Sequence, residues 1–240
     1  MDGPLDTPGK ILCVAAHPDD LDFGCAASVA SWVDAGHEVV YCLVTDGQAG
    51  GFDNSISRDE MAEIRRREQT EAAKRVGVTE LHFLGFPDGS VEYNLELRCA
   101  ISRVIRTVRP ERVVTQSPER NLDRIYGSHP DHLATGEATM AAVYPDSRNE
   151  FAFPQLLADE GLEPHTVPEL WLIGGPDPNR HLDITDYVER KIEALLCHES
   201  QMQAPDEMPD RIREWTRRSG KAAGLAPGRC AELFRVIDTR

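Results

Sequence analysis

Several features that would indicate other classes of protein are missing from this chain of 240 residues. No segment approaches the roughly 20 consecutive apolar residues that a membrane-spanning helix needs. Met1 leads into Asp2, Gly3 and Pro4 rather than into the basic and apolar segments of a secretory signal. Basic residues are also few, since 26 Lys and Arg stand against 41 Asp and Glu, for a formal charge of −15. Because nucleic-acid recognition depends on clustered Lys and Arg, we expect neither a nucleic-acid nor a membrane partner.

Cysteine pairs are missing as well. The six cysteines are scattered, form no C-x-x-C motif, and stand at positions 13, 25, 42, 99, 197 and 230. Several fall in or beside apolar runs, where a free cysteine behaves as a small hydrophobic residue. This usage is typical of reduced thiols rather than of a disulfide framework, and it predicts a cytoplasmic protein.

The order of predicted elements indicates the fold class. Short apolar runs predict strands at 11–16, 39–45, 81–86, 112–116 and 170–173, and amphipathic or alanine-rich segments predict helices at 24–36, 58–76, 95–108 and 186–198. Such alternation is typical of an α/β, Rossmann-like, three-layer fold with a mostly parallel sheet and a site at the carboxyl ends of the strands. We expect a single domain over 1–240, with a core at about 10–201, a loop or flap at 145–168, and a C-terminal extension, 202–240, packed on the core.

Two short clusters carry the predicted chemistry. The sequence His-Pro-Asp-Asp (17–20) follows the first strand, and His-Pro-Asp-His (129–132) follows the fourth. In a parallel sheet both clusters would face one crevice, where imidazoles and a carboxylate could hold a catalytic zinc and leave a position open for water. A remaining carboxylate would then serve as base, and a remaining histidine as acid or oxyanion donor, which together suit amide hydrolysis.

Two other interpretations of these clusters deserve comparison. Ser128 followed by Asp131 resembles a helix capping box, and proline in a first helical turn is common. A nucleotide-binding Rossmann module is disfavoured, because no G-x-G-x-x-G follows the first strand and aspartates there would repel a pyrophosphate. Two His-Pro-Asp clusters, each placed after a strand, favour the metal site over either alternative.

The sequence also resembles a known family, the LmbE-like or PIG-L zinc-dependent deacetylases. The resemblance runs in order through AAHPDD (15–20), TDG (45–47), RRREQTEAAKRVGV (65–78), LGFPDG (84–89), SHPDH (128–132) and DITDYVERKIEALLCHESQ (183–201). It implies a Zn2+ site. Fe2+ is the alternative ion, because His and Asp ligands do not discriminate sharply between the two. By this resemblance the metal ligands are His17, Asp20 and His132, the general base is Asp19, the acid or oxyanion donor is His129, and the group that orients a histidine is Asp131.

Contacts to substrate are less specific in the sequence. The resemblance implies that Arg65 holds substrate hydroxyls or a phosphate and that Asp88 hydrogen-bonds a sugar hydroxyl, although Arg65 could pair with a helix neighbour and Asp88 could cap a turn. Tyr126 could reach an oxyanion or a sugar, or could pack its own loop. The chain departs from the family where Leu21 replaces the usual glutamate of H-P-D-D-E. His198 is interpreted as a helix-packing residue.

The resemblance and the two clusters predict a metal-dependent amidohydrolase. The leading hypothesis is an N-deacetylase that removes an acetyl or other acyl group from a small N-acylated amino-sugar, such as an N-acetylglucosamine conjugate. An amidase of a larger thiol–sugar conjugate, similar to mycothiol S-conjugate amidase, uses the same chemistry and is the alternative. A homo-oligomer is compatible with the sequence, and no oligomeric state is predicted.

Overall fold

Strands and helices alternate along the chain in the computed structural model, which describes residues 7–240. The strands are β1 (Lys10–Ala15), β2 (Glu38–Thr45), β3 (Glu80–Phe86), β4 (Arg112–Gln116), β5 (Glu169–Ile173), β6 (Arg180–Asp183) and β7 (Ala231–Asp238). The α-helices are α1 (Asp20–Asp34), α2 (Arg58–Arg75), α3 (Leu95–Val108), α4 (Pro130–Ala141), α5 (Pro154–Ala158), α6 (Val188–Leu195) and α7 (Met208–Ala222).

All seven strands form one sheet in the order β3-β2-β1-β4-β5-β7-β6. The first five strands of that order are parallel, whereas β7 runs antiparallel to both β5 and β6. The predicted α/β fold with a mostly parallel sheet is therefore confirmed. The strand order reverses direction between β1 and β4, which is the point where ligands bind in open sheets of this kind.

The core lies in two layers, one on each face of the sheet. Along β1, Ile11 and Cys13 pack with residues of α1, α2 and α6, whereas Leu12 and Val14 pack with residues of α3 and α4. Both faces of β1 are thus covered by helices. This explains why its sequence is a nearly continuous apolar run rather than an alternating one.

Helix α1 begins earlier than the sequence predicted. The prediction started it at Gly24, but the structure starts it at Asp20. Gly24 therefore lies inside the helix. A larger residue would not fit there, because a Cβ atom would stand 2.4 Å from Cδ1 of Ile173. Glycine therefore allows α1 to approach the sheet closely, and Asp20 falls in the first helical turn.

Two later predictions also needed adjustment. Helix α6 is shorter than the predicted 186–198, because short 3-10 turns at Thr185–Tyr187 and Glu199–Gln201 flank it. The segment 145–168, expected to be a loop or flap, contains the short helix α5.

The C-terminal segment does more than pack on the outside of the sheet. Its strand β7 lies between β5 and β6, where Trp171 pairs with Val236 and His181 pairs with Leu233. The sequence analysis treated 202–240 as an extension, and no strand was predicted in it. The division of the chain at about residue 201 stays a prediction, but the sheet itself includes this last strand.

The buried ion pair of Lys191 and Glu232 connects β7 to α1. Glu232 accepts hydrogen bonds from the backbone nitrogen of Ser28 at 2.8 Å and from Nζ of Lys191 at 2.5 Å. Lys191 also donates to the carbonyl oxygen of Phe23 at 2.6 Å. The side chains of Lys191 and Glu232 are only 1% and 4% exposed. The pair thus holds together the C-terminal strand, α6 and the helix that begins at Asp20.

Two further observations concern the predicted environment of the protein. Within residues 7–240, no helix combines the length and the apolar character that crossing a membrane requires. All six cysteines are unpaired, and Cys13, Cys25, Cys42 and Cys230 are buried while the other two are partly exposed.

Removing one partner of the buried pair should be costly. We expect Lys191→Ala to lower the free energy of unfolding by about 3 to 5 kcal/mol, because Glu232 would keep its charge in the interior without its cation. Urea denaturation followed by circular dichroism measures this loss. Arg218→Ala, which breaks the exposed pair with Glu214, is the control and should cost less than about 1 kcal/mol. Equal effects of the two substitutions would contradict this interpretation of the pair.

Candidate metal centre and active site

The two His-Pro-Asp clusters meet at the switch point of the sheet. His17 follows β1, and His132 lies in the first turns of α4, which comes after β4. Because β1 and β4 are parallel neighbours, their carboxyl ends open on the same side. A third segment, the turn after β3 that contains Asp88, reaches the same place. The structure therefore brings together residues that are more than a hundred positions apart in sequence.

Three of these residues form a compact set of potential ligand atoms. Nδ1 of His17 lies 3.2 Å from Nε2 of His132 and 3.3 Å from Oδ2 of Asp20. Nε2 of His132 lies 3.0 Å from Oδ1 of Asp20. Ligands around a tetrahedral zinc, with bonds of about 2.0–2.1 Å, stand about 3.3–3.4 Å apart. The observed spacings are close to these values, so the three residues suit an ion at their centre.

The charges around His17 also favour a cation. Burial alone would lower the pKa of His17, but the carboxylates of Asp20, Asp131 and Asp88 outweigh burial and raise it to about 12. Burial would likewise raise the pKa of Asp20, yet the rings of His132 and His17 hold it well below its usual value. Three carboxylates thus surround one imidazole. A bound cation would satisfy the same carboxylates that otherwise hold a proton on the ring.

The second nitrogen of His17 contacts two carboxylates. Nε2 lies 3.1 Å from Oδ1 of Asp88 and 3.1 Å from Oδ2 of Asp131. Asp131 is fixed in turn by the backbone nitrogens of Gly89 at 2.7 Å and Val91 at 3.2 Å. Such outer partners orient a ligating histidine and choose which nitrogen carries its proton. Here they leave Nδ1 of His17 turned toward His132 and Asp20.

Potential ligand atoms are also close in two other combinations. His17 and His132 form one group with His129, and His17 forms another with Asp88 and Asp131, each with its atoms within 4.8 Å of one another. We favour the set of His17, Asp20 and His132 because it is the set that the family motifs imply and because all three of its pairwise spacings are 3.0–3.3 Å.

Asp19 stands beside this centre in an unusual backbone conformation. Its φ angle is +87°, in the left-handed region, and its backbone nitrogen donates to Oε1 of Gln69 at 2.8 Å. Its carboxylate accepts from Nη2 of Arg65 at 3.0 Å. Burial raises the pKa of Asp19, Arg65 lowers it, and the net result is about 6. The conformation turns the Asp19 side chain away from the direction that its neighbour Asp20 takes.

Arg65 is buried and its guanidinium contacts the protein at several points. Besides Asp19, it donates to the carbonyl oxygens of Pro18 and, at 3.0 Å, of Gly47. A Cβ atom on Gly47 would stand 2.2 Å from Nη1 of Arg65, so glycine is required for this approach. Within the described residues, the buried Nε of Arg65 has no hydrogen-bond partner. The contact of Arg65 with substrate stays a prediction.

The remaining predicted residues lie at different depths. His129 caps α4, and its Nδ1 accepts from the backbone nitrogen of Asp131 at 3.2 Å. Burial and the nearby His17 charge lower the pKa of His129. Asp88 is buried, and besides contacting His17 it accepts from the backbone nitrogen of Ala49 at 2.7 Å. Tyr126 is 89% exposed and lies on the rim of a cavity beside the centre.

Sequence reasoning missed a buried network behind Asp19. Asp22 is fully buried, and its Oδ2 accepts from Nε2 of Gln69 and lies 2.8 Å from Nε2 of His198. Burial would lower the pKa of His198, but Asp22 outweighs it and raises the value. The spacing of Gln69 in the sequence could have revealed its role. Gln69 follows Arg65 by four residues and so lies on the same face of α2. Leu21, in contrast, lies in the core.

A cavity of about 740 Å³ opens from the candidate centre. Asp20 and His132 of the candidate centre are among the residues that line it, together with residues of the C-terminal helix α7. The volume falls within the range of about 300–1,000 Å³ that is typical of pockets for small organic ligands. The centre is therefore accessible to a substrate that is considerably larger than an acetamide group.

The fold and the cluster together define an α/β protein with a candidate His–Asp metal centre at the switch point of its sheet. The chain belongs to the PIG-L family, since the family model described as GlcNAc-PI de-N-acetylase matches residues 12–143. The resemblance drawn from the motifs is thereby confirmed.

Three similar proteins extend this comparison. The diacetylchitobiose deacetylase of Thermococcus kodakarensis is 35% identical over 198 residues, which cover 82% of this chain and 72% of that protein. A probable N-acetyl-alpha-D-glucosaminyl L-malate deacetylase 2 of Bacillus cereus is 30% identical over 199 residues, covering 81% and 84%. The structure of N,N'-diacetylchitobiose deacetylase from Pyrococcus horikoshii, in complex with its inhibitor MPG, superposes with a TM-score of 0.89 at 31% identity, covering 98% of this chain and 86% of that one.

The ligand assignment can be tested by metal binding alone. We expect the purified protein to retain a single zinc ion per chain after dialysis. His132→Ala removes a proposed ligand atom. Loss of a residue that only orients a ligand typically weakens metal binding about 10- to 100-fold, and we expect His132→Ala to weaken zinc binding by more than this. Elemental analysis and competition with a chromogenic chelator measure both quantities. His181→Ala, at an exposed histidine of β6, is the control, and unchanged affinity in His132→Ala would show that the ligand set is wrong.

Proposed function

We propose that this protein is a zinc-dependent deacetylase that hydrolyses the acetamide of a small N-acetylglucosamine-containing substrate. The observation that carries the proposal is the convergence of His17, Asp20 and His132, whose nearest nitrogen and oxygen atoms lie 3.0–3.3 Å apart. The carboxylate of Asp19 is close enough to interact with the charges of Asp20 and His17. A cavity large enough for a sugar leads to this point. Family membership supports the same reaction class.

His17, Asp20 and His132 would hold the ion. Zinc bound there would supply Lewis-acid chemistry, because it lowers the pKa of water and polarises an amide carbonyl. The carboxylates of Asp88 and Asp131 keep the His17 ring in one orientation and hold its proton on Nε2. Nδ1 is then unprotonated, as a metal ligand must be.

Asp19 is the proposed general base. One oxygen of its carboxylate is held by Arg65 at 3.0 Å, which fixes the side chain without protonating it. In this role Asp19 accepts the proton of the attacking water, and the proton then passes to the departing amine nitrogen. The left-handed backbone of Asp19 serves this role, because it directs the base and the ligand Asp20 to different positions.

His129 is the proposed donor to the developing oxyanion. Its Nδ1 accepts the backbone N–H of Asp131, so in the neutral ring the proton is on Nε2. That N–H is then available to the carbonyl oxygen of the amide as negative charge forms on it. The position of His129 supports this role, since its ring lies 5.1 Å from the ring of His17, between centroids, at the exposed side of the centre.

The substrate class is inferred from the related proteins. The similar proteins of Thermococcus, Pyrococcus and Bacillus are named as deacetylases of amino sugars. Amidase action on a larger thiol–sugar conjugate uses the same residues, and the size of the cavity admits it. A nucleotide-binding role is not favoured, because Asp19 and Asp20 occupy the turn where a pyrophosphate would have to bind.

A panel of substrates separates these possibilities. Release of a primary amine is measured from N-acetylglucosamine, N,N'-diacetylchitobiose, N-acetylglucosaminyl malate and a thiol conjugate of glucosaminyl-inositol. Each reaction is run on the zinc-loaded protein, after chelation, and after zinc is added back. We expect chelation to abolish release and zinc to restore it. No release from any N-acetylated sugar by zinc-loaded protein would overturn the deacetylase proposal, whereas release from the thiol conjugate alone would favour the amidase.

The role of Asp19 gives a second prediction. Asp19→Asn keeps the shape of the side chain but removes the base, so kcat should fall about 100- to 10,000-fold while zinc content is preserved. Asp159→Asn, at an exposed aspartate near α5, is the matched control. A variant at position 19 that retained zinc and full activity would exclude this residue as the base.

The buried network of Gln69, Asp22 and His198 behind Asp19 gives a third prediction. Gln69→Met has a similar length but cannot accept the hydrogen bond of the Asp19 backbone. Because the base would then be less precisely placed, we expect kcat to fall about 10- to 100-fold with little change in KM and none in zinc affinity. Gln203→Met, at an exposed position, controls for the substitution itself. A rise in KM or a loss of zinc, with kcat preserved, would show that Gln69 acts in another way.

A further inference from the structure

A histidine from the second half of the chain reaches the residues behind the proposed base. His198 follows α6, and its Nε2 lies 2.8 Å from Oδ2 of Asp22, which is 176 positions earlier in the sequence. The same Oδ2 accepts from Nε2 of Gln69 at 2.8 Å, and Oε1 of Gln69 accepts from the backbone nitrogen of Asp19 at 2.8 Å. A continuous series of hydrogen bonds therefore leads from His198 to the turn that carries the base.

The polar contact of His198 lies in the interior of the protein. His198 is 1% exposed, and Asp22 and Gln69 are fully buried. Within residues 7–240, Oδ1 of Asp22 has no hydrogen-bond partner, so His198 and Gln69 are the two donors to this carboxylate. A buried carboxylate needs such donors because its transfer from water is costly. His198 therefore serves Asp22 as a donor, beyond the packing role expected from the sequence.

The direction of these hydrogen bonds fixes the amide of Gln69. An ionised carboxylate only accepts hydrogen bonds, so the NH2 group of Gln69 is turned toward Asp22. The carbonyl oxygen of the same amide then faces the backbone N–H of Asp19. A reversed amide would set its NH2 group against that N–H, and two donors do not bond each other. The position of the Asp22 carboxylate is thereby linked to the left-handed turn at Asp19.

The segment that contains His198 is attached to α2 at a second point. Ser200 donates to Glu68 from its backbone nitrogen and from its hydroxyl, both at 2.7 Å. Within the described residues, no side-chain hydrogen bond links this second contact to Asp19, Asp22 or Gln69. One short segment thus offers a contact that leads to the base and a contact that only anchors the segment.

We propose that His198 is a positioning residue, which holds the carboxylate of Asp22 in place and, through Gln69, the backbone of Asp19. The inference rests on the proposed function, because it assigns to His198 an effect on the deacetylation step. His198 does not line the cavity beside the candidate centre, so its effect falls on the placement of the base rather than on substrate binding. It also lies beyond the segment 12–143 that the family model matches.

Substitutions at position 198 test the proposal in the zinc-loaded protein. His198→Met removes the donor, so we expect kcat to fall about 10-fold, with KM and zinc affinity unchanged. The substrate is the N-acetylated sugar of the panel that the natural protein hydrolyses fastest. His198→Gln places an amide nitrogen near the position of Nε2 and should restore most of kcat. If His198→Met does not fold, His198→Asn, which is too short to reach Asp22, takes its place.

Ser200→Ala is the matched control, because it weakens the second attachment of the same segment without touching the path to Asp19. It should leave kcat unchanged even where it lowers the stability of the protein. A loss of kcat in Ser200→Ala equal to that in His198→Met would show that the segment acts only as an anchor. Equal losses in His198→Gln and His198→Met would likewise overturn the positioning role.

A double substitution tests whether His198 acts through Gln69. If it does, adding His198→Met to Gln69→Met should lower kcat little further, because the path to the base is already broken. Independent effects would multiply the two losses. That result would contradict the proposed path.

Hydrogen exchange of the Asp19 amide measures the placement of the turn without catalysis. This N–H donates to Gln69, and its exchange is followed by NMR of protein that carries 15N-labelled aspartate. We expect exchange about 10-fold faster in His198→Met than in the natural protein, and slow again in His198→Gln. The amide of Asp34, inside α1, is the internal control, because a general loss of stability would speed its exchange too.

The exchange measurement separates failure of this inference from failure of the proposed function. Unchanged exchange at Asp19 in His198→Met would overturn the positioning role, whatever the protein hydrolyses. Faster exchange at Asp19, without amine release from any sugar by the natural protein, would support the positioning role and contradict the deacetylase. Faster exchange with unchanged kcat would contradict the effect of His198 on the deacetylation step.

Discussion

The parallel pairing of β1 with β4 sets Val14 beside Thr115 and so places the two His-Pro-Asp segments at one point of the sheet edge. The end of β1 is fixed from both sides. The backbone nitrogen of Ala16 donates to Oε1 of Gln116 at 2.9 Å, and its carbonyl oxygen accepts from the backbone of Thr45 at 2.8 Å. With that strand end held by both neighbouring strands, the turn that follows has little freedom. The spacings of 3.0–3.3 Å among His17, Asp20 and His132 are found directly beyond this restrained strand end.

The turn itself is held in a conformation that the chain would not adopt alone. A non-glycine residue with φ near +87° costs roughly 1–3 kcal/mol, which surrounding contacts must offset. Gln69 and Arg65 supply those contacts from one face of α2, and Asp22 with His198 holds Gln69 from behind. The buried carboxylate of Asp22 follows Leu21, which stands where the family often has glutamate. In this chain Asp22, the residue after Leu21, provides the carboxylate of the polar network beneath the turn.

Much of this arrangement could be predicted from the sequence, for identifiable reasons. Helix α3 and strand β4 have the predicted bounds, because their apolar patterns are clear and Asn94 caps the helix. The His-Pro-Asp clusters were recognisable because each follows a strand. The start of α1 was placed four residues too late, at Gly24, which instead lies inside the helix and leaves space for Ile173. Strand β7 was missed because it pairs with segments far away in sequence, and local patterns do not report such pairing.

The C-terminal segment contacts both the helix that presents Asp20 and the cavity beside the candidate centre. Through Glu232 it bonds to the backbone of α1, the helix whose first turn presents Asp20. Through Trp215 it lines the same cavity as Asp20. Lys191 contacts both regions, since it pairs with Glu232 and its Nζ lies 5.2 Å from the Trp215 ring. A change in the segment that enlarged the cavity would therefore disturb the support of α1 as well.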